Sequence, residues 1–320
     1  MKRPLIILAG PTAVGKTALS VRLAKKIGAE IISADSMQVY RGMNIGTAKI
    51  TEEEMEGVPH HMIDVLNPRE PFNVCVFRDM VRAAMEQIYA NGHIPLITGG
   101  TGFYIQSVLY DIDFDLRADD TNLRAALTEE LSRCGAEHMY AQLNSVDPEA
   151  AAQIHPNNRK RVLRALEFYR LTGRKISEHN REQRERKSPY RFLYYVLSMD
   201  RAALYRRIDA RVDRMMADGL LQEVKELRDR GLSSDLVSMQ GIGYRQIFDY
   251  LEGIASLEEA VERIKRETRH FAKRQLTWFK REPEAIWLSP EEYGGDRRQI
   301  LARMTAECIS LLSEPEEERF

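Results

Sequence analysis

The chain has little sulfur chemistry to offer. Its 320 residues hold three cysteines, Cys75, Cys134 and Cys308, too widely spaced for a zinc ribbon or a disulfide framework. A reducing cytoplasm is the expected compartment. Long apolar runs are also lacking. Leu5 to Leu8, near the N-terminus, is shorter than a signal-peptide core, and nothing approaches the ~18 apolar residues of a membrane-spanning helix, so a membrane role is not expected. There is no internal repeat, no long low-complexity tract, and almost no net charge, the balance being −1.

What is present is ordinary globular composition, 43% hydrophobic and 30% charged, in a chain long enough for one large or two modest domains. The charge is unevenly distributed. Asp111 to His155 carries ten Asp and Glu against three Lys and Arg; Pro156 to Arg191 carries twelve Lys and Arg against four Glu; Arg263 to Arg281 carries eight against one. Two basic segments on a nearly neutral chain fit either solvated helix faces or a polyanionic partner, with nucleic acid first among the candidates.

"GPTAVGKTAL", Gly10 to Leu19, follows the apolar run and fits G-x-x-x-x-G-K-[ST] with Gly10, Gly15, Lys16 and Thr17. Such a loop aims consecutive N–H groups at an anion held at a helix N-terminus. Lys16 adds a point charge, and Thr17 a hydroxyl for a phosphate-bound Mg²⁺. This signal is strong for phosphate and weak for ATP.

Around the loop, strand-like PLIILAG, EIISAD and IPLITGG alternate with helix-like stretches from about Lys16 to Ile27 and Phe77 to Asn91. That alternation predicts a parallel α/β sheet with its ligands at the carboxyl ends of the strands. Gly10, Asp35 and Gly99 all fall at such ends. The pattern turns helical after about Asp115, breaks at "KSPY", and returns to a strand at "FLYYVLSMD" before further helical runs. The expected organisation is an α/β P-loop NTPase-like core of parallel sheet flanked by helices, formed by 1–114 and 190–312, the latter with basic C-terminal helices. Residues 115–189 form an inserted helical domain and 313–320 an acidic tail.

Asp35 could act as general base, hold Mg²⁺ or cap the next turn. No clear Walker-B strand ending in Asp is present, since "IPLITGGTGFY" ends in Gly99, Gly100 and Thr101; this counts against ATP chemistry without excluding it. Arg207 and Arg211, four apart on one helical face, either clamp a diphosphate or pair with Asp209 and Asp213 on the surface.

Taken in order, "GPTAVGKT", "ADSMQVYRGMNIGTAK", "PHHMIDV", "TGGTGFY", "HPNNRKRVLRALE", "RIDARVDRMMADGLLQEV", "QGIGYRQ" and "KRQLTWFKR" resemble the motifs of the bacterial tRNA dimethylallyltransferases, also called tRNA isopentenyltransferases. The resemblance runs from about Leu5 to Trp287. It implies transfer of a dimethylallyl group from dimethylallyl diphosphate to N6 of the adenosine at position 37, beside the anticodon, giving N6-dimethylallyladenosine and diphosphate. It also implies a cytoplasmic enzyme using Mg²⁺ bound through Thr17 and phosphate, and acting as a monomer.

Site roles follow from the same resemblance. Asp35 is the catalytic base, supported by Thr17 and Arg211. Gly10, Thr12, Ala13, Val14, Gly15, Lys16 and Thr17 hold the diphosphate with Arg211 and, less firmly assigned, Arg207. The tRNA anticodon stem-loop is met by Asp35, Ser36, Met37, Gln38 and Thr101; by Arg159, Lys160, Arg161, Val162 and Leu163; by Gln240, Gly241, Ile242, Gly243, Tyr244 and Arg245; and by Lys273, Arg274, Gln275 and Lys280. Trp278 and Phe279 fit either base stacking or core packing.

Three other readings compete. A small-molecule kinase would use the same loop for ATP but needs no basic segments. An adenylate isopentenyltransferase would prenylate free AMP, again without a macromolecular acceptor. A nucleotide-switched RNA-binding protein would leave Asp35 without chemistry.

Overall fold

The computed structural model describes residues 2–114 and 121–313. Position 115, the expected start of the insert, and all of the expected acidic tail beyond Ser313 lie outside them. The chain folds as two compact units, one of Met1–Leu109 with Pro189–Phe320 and the other Tyr110–Ser188, so the insert begins five residues before the expected boundary.

In the first unit the chain runs β1 (Pro4–Ala9), α1 (Lys16–Ile27), β2 (Ala29–Ala34), α2 (Glu52–Met55), β3 (His60–His61), α3 (Val74–Ala90), β4 (Ile94–Gly99) and α4 (Gly102–Leu109). The second unit holds α5 (Thr121–Val146), α6 (Pro148–Gln153), α7 (Arg159–Thr172) and α8 (Ile176–Arg184). The chain then completes the first unit with β5 (Arg191–Leu197), α9 (Arg201–Ala217), α10 (Leu220–Asp229), α11 (Tyr244–Leu251), α12 (Leu257–Phe279), β6 (Ala285–Leu288) and α13 (Arg297–Ser313).

The six strands form one parallel sheet in the order β3-β2-β4-β1-β5-β6. The central strands are near-continuously apolar and buried, as a sheet covered by helices on both faces requires. Ala9, Ala34 and Gly99 are in register across β1, β2 and β4. The loops opening with Gly10, Asp35 and Gly100 therefore leave the sheet along one edge, where ligands of open α/β folds bind.

Several elements differ from the sequence expectation. Helix α3 starts at Val74, three residues before Phe77, because the Asn73 side chain accepts the N–H groups of Cys75 and Val76 and so caps the helix there. The edge strands β3 and β6 are two and four residues long, too short to show alternation. Helix α5 is broken at Gly135, whose φ of 85° lies outside the helical region.

The second unit packs Leu127, Met139, Leu143, Val162, Leu163 and Leu166 into its own core. Buried Asp147 ties it together: it caps α6 through the Ala150 N–H and accepts both the N–H and the hydroxyl of Ser177, at 2.9 and 2.7 Å. Among the described residues no helix is long and apolar enough to cross a membrane.

Candidate active site

The loop between β1 and α1 turns on three unusual backbone angles, Gly10 at φ 151°, Ala13 at 63° and Gly15 at 96°. Gly15 then opens α1, leaving the N–H groups of Lys16 and Thr17 in the first turn, where a helix offers no internal partner. The Lys16 ammonium folds back over the loop and donates to the carbonyls of Gly10 and Pro11, both at 2.9 Å. Burial and the nearby Arg211 push its pKa down to about 7, while Asp35 opposes the shift.

Not every loop amide is available for phosphate. The Thr12 N–H donates to Gln275 Oε1 at 2.9 Å, and the Val14 N–H makes a long bond to the Pro11 carbonyl, 3.4 Å. Of the amides from Thr12 to Thr17 expected to point at the anion, those of Thr12 and Val14 are therefore already engaged within the protein.

Arginines crowd the loop. Arg207 Nε donates to the Ala13 carbonyl at 2.8 Å, and Arg211 Nη1 lies 3.5 Å from the Thr12 hydroxyl, a long contact. Burial and the neighbouring guanidiniums of Arg207 and Arg214 lower the Arg211 pKa, with Asp35 and Glu54 opposing. Asp209 and Asp213, the alternative partners of these arginines, pair instead with Arg269 and Lys265 of α12 at 2.5 and 2.6 Å. Both arginines therefore face the loop, Arg207 bound to its backbone and Arg211 the freer of the two. Arg297, not anticipated from the sequence, donates to the carbonyls of Val14 and Gly15 at 2.7 and 3.2 Å. Its guanidinium fills the space where a side chain on Gly15 would lie.

At the end of β2, Asp35 Oδ1 accepts the N–H of Met37 at 2.9 Å and of Gln38 at 3.4 Å. Turn capping thus uses one oxygen; Oδ2 has no hydrogen-bond partner among the described residues. The Asp35 charge favours the protonated form of Lys16, and the register of β2, β4 and β1 brings the strand end before Asp35 to the same edge as the glycine-bounded loop. Gln38 faces inward, accepting from Ser33 Oγ at 3.0 Å and donating to the carbonyls of Thr47 and Ala48 at 3.2 and 3.3 Å. Ser36 and Met37 are half-buried, the latter packed near Gly241. Thr101 follows β4, its N–H donating to the Ala34 carbonyl at 3.3 Å.

The Gln240–Arg245 segment is mostly scaffold. Tyr244, expected at the RNA surface, is fully buried. Its hydroxyl donates to Glu223 Oε1 at 2.6 Å, and burial beside that carboxylate raises its pKa. The same Glu223 carboxylate accepts the N–H groups of Asn44, Ile45 and Gly46 at 2.8, 2.8 and 3.1 Å, fixing the loop that carries the carbonyls bonded by Gln38. Gly241 and Gly243 are also buried and Ile242 and Arg245 half-buried, leaving Gln240 exposed. Arg245 pairs with Glu267. Replacing Glu223 by alanine strands four donors at once and is expected to cost about 2–4 kcal/mol of stability, read as a lower midpoint in urea unfolding.

The basic segments divide likewise. On α7, Arg159, Lys160 and Arg161 are exposed and form no ion pair among the described residues, whereas Val162 and Leu163 are buried in the core of the second unit and are not available to RNA. On α12, Arg263, Lys265 and Arg269 are paired with Asp249, Asp213 and Asp209; Arg266, Lys273, Arg274 and Lys280 are exposed. Gln275 is buried, as is Phe279, which belongs to the core and cannot stack on a base. Trp278 is half-buried against Phe103, centroids 5.8 Å apart.

Among the described residues no group of three His, Cys, Asp or Glu could hold a metal. The Thr17 side chain, exposed in the first turn of α1, offers a hard oxygen donor, and Mg²⁺ commonly takes one or two protein oxygens and completes its shell with substrate phosphates and water. That donor set fits a Mg²⁺ arriving with a diphosphate.

A parallel sheet whose carboxyl edge carries a glycine-bounded loop, a ring of cations and one carboxylate defines an α/β protein of the P-loop type. Comparison with known proteins narrows this class. Residues 38–282 match the family described as IPP transferase, and residues 3–66 the one described as isopentenyl transferase. A tRNA dimethylallyltransferase of Lachnoclostridium phytofermentans is 55% identical over 98% of this chain and 99% of its own length; that of Bacillus subtilis is 51% identical over 89% and 90%. The crystal structure of a tRNA isopentenylpyrophosphate transferase from Bacillus halodurans superposes with a TM-score of 0.70 at 42% identity, covering 98% of this chain and all of that one. A eukaryotic dimethylallyltransferase acting on tRNA gives a TM-score of 0.84 at 31% identity, covering 99% and 82%. The chain belongs to the IPP transferase family.

Proposed function

We infer that this protein transfers a dimethylallyl group from dimethylallyl diphosphate to N6 of the tRNA adenosine at position 37, forming N6-dimethylallyladenosine and diphosphate. The observation that carries this reading is the pairing of a cation-rich phosphate loop with a single carboxylate whose Oδ2 is unengaged. Arg211 lowers the proton affinity of Lys16, and Arg207 and Arg214 lower that of Arg211, so the positive charge of this cluster is set for an anion more highly charged than Asp35.

In the reaction, the adenine N6 attacks the allylic carbon, the bond from that carbon to the diphosphate oxygen breaks, and Asp35 Oδ2 takes the N6 proton. Lys16, Arg211 and the N–H groups at the start of α1 stabilise the charge that develops on the leaving diphosphate. Mg²⁺ held by Thr17 and the phosphates would neutralise part of that same charge. The target adenine must leave its stack to reach Asp35, at a cost of a few kcal/mol. One chain carries the loop, the base and the basic surfaces, so the reading needs no second copy, and its three free thiols suit a reducing cytoplasm.

The test is incubation with dimethylallyl diphosphate and an unmodified anticodon stem-loop, followed by mass spectrometry of the nucleosides; prenylated adenosine is expected, with AMP a poor acceptor. Consumption of ATP in place of the prenyl donor, or AMP used as well as the stem-loop, would replace this reading with one of its competitors. Neutralising Arg159, Lys160 and Arg161 together should weaken stem-loop binding and flatten its salt dependence, by up to about three in the log–log slope if each meets a phosphate. Donor affinity should not change. Binding across a salt series checks this.

A further inference from the structure

Gln275 lies within the segment Lys273–Lys280 that sequence reasoning assigns to RNA contact, yet its carboxamide is buried and points to the sheet edge. Oε1 accepts the Thr12 N–H of the phosphate loop at 2.9 Å, and Nε2 donates to the Gly100 carbonyl at 3.0 Å. The orientation is fixed by chemistry, because a backbone N–H needs an oxygen and a carbonyl needs a donor. Gly100 has no side chain to obstruct this: a Cβ there would collide with Nε2. The next residue, Thr101, bonds the carbonyl of Ala34, immediately before Asp35.

We propose that Gln275 is a positioning residue that sets the separation between the diphosphate loop and the strand ends carrying Thr101 and Asp35, and so the alignment of leaving group and attacking amine. The proposal rests on the prenyl-transfer reading above. Both loops hang from separate strands, and among the described residues this carboxamide is the one side chain bonded to both. In-line displacement depends steeply on such spacing; a displacement of 1 Å costs on the order of 10²-fold in rate.

Four variants test it by steady-state kinetics with dimethylallyl diphosphate and stem-loop, alongside unfolding midpoints. Gln275→Ala should lower kcat by about 10- to 100-fold while both KM values stay within about threefold, since neither binding surface is removed. Gly100→Ala should lose a similar factor by pushing the carboxamide aside. The double variant should be no worse than Gln275→Ala alone, because with the carboxamide gone the nearest atom to the new Cβ is the Gly10 carbonyl oxygen at 3.6 Å, an ordinary contact.

Gln275→Glu covers the case in which Gly100→Ala does not fold. Its carboxylate keeps the acceptor for Thr12 but lacks the donor for Gly100 until it is protonated, and burial against a carbonyl raises its pKa. The ratio of its kcat to that of the wild type should therefore rise as pH falls. Wild-type kcat in Gln275→Ala, multiplied losses in the double variant, or a flat ratio for Gln275→Glu would each overturn the proposal. If the wild type transfers no prenyl group, the functional reading fails and takes this proposal with it; if it does, the variants decide on Gln275 alone.

Discussion

Replacing Asp35 with asparagine is expected to slow prenyl transfer by about 10²- to 10⁴-fold, the usual loss when a general base is removed, with stem-loop affinity within a few-fold of wild type. Asparagine is the informative substitution because of how Asp35 is held. Its Oδ1 caps the turn through the Met37 and Gln38 N–H groups, and the asparagine carbonyl can accept both. What is lost is the negative charge and proton acceptor at Oδ2. Alanine removes the cap as well and should cost about 1 kcal/mol more in stability, so comparing the two separates chemistry from turn geometry. Single-turnover rates with saturating enzyme measure the step directly. An asparagine variant that turns over at the wild-type rate would rule out Asp35 as the base.

The carboxyl edge of the sheet was legible because each strand there ends in residues with few alternative uses. A glycine-bounded loop, an acid after EIISA and a Gly-Gly-Thr turn follow three buried strands whose register aligns them. The roles of Arg207 and Arg211 were left open by their own segment, where surface pairing with Asp209 and Asp213 stood as the alternative. The deciding information lay some fifty residues further on. Lys265 and Arg269 repeat the four-residue spacing, so antiparallel packing of α12 on α9 pairs the two acids with them and leaves the arginines for the loop.

Burial was harder to read. Val162, Leu163, Gln275 and Phe279 sit in segments that also carry exposed basic residues, and a helix turns every third or fourth residue inward. A segment can therefore touch RNA while these members hold the core. Arg297 carries a signal in its own segment. Ile300, Leu301, Met304 and Cys308 follow it at helical spacing and are buried, which marks α13 as a packed helix with Arg297 at its start.

Lys16→Ala is expected to lower kcat/KM for dimethylallyl diphosphate by about 10²- to 10³-fold, the scale seen when one preorganised donor to a developing oxyanion is lost, and to alter how donor binding depends on pH. In the free protein, burial and Arg211 push the Lys16 pKa from 10.5 down to about 7. Between those values an unfolded chain carries the proton and the folded chain does not, so this group makes stability rise with pH across that window and is least favourable to the fold below 7. A diphosphate reverses the local balance by placing negative charge against the amine, which favours its protonated form. Binding above pH 7 must then take up a proton. Donor affinity should weaken as pH rises past 7, by at most about tenfold per unit, and calorimetry in buffers of different ionisation enthalpy should record uptake approaching one proton. Lys16→Ala should bind weakly with a flat profile. Arg211→Ala, which removes a repelling neighbour, should instead move the onset of weakening to higher pH. Proton uptake that persists unchanged in Lys16→Ala would mean that another group senses the donor, and the place given to Lys16 at the leaving group would have to be abandoned.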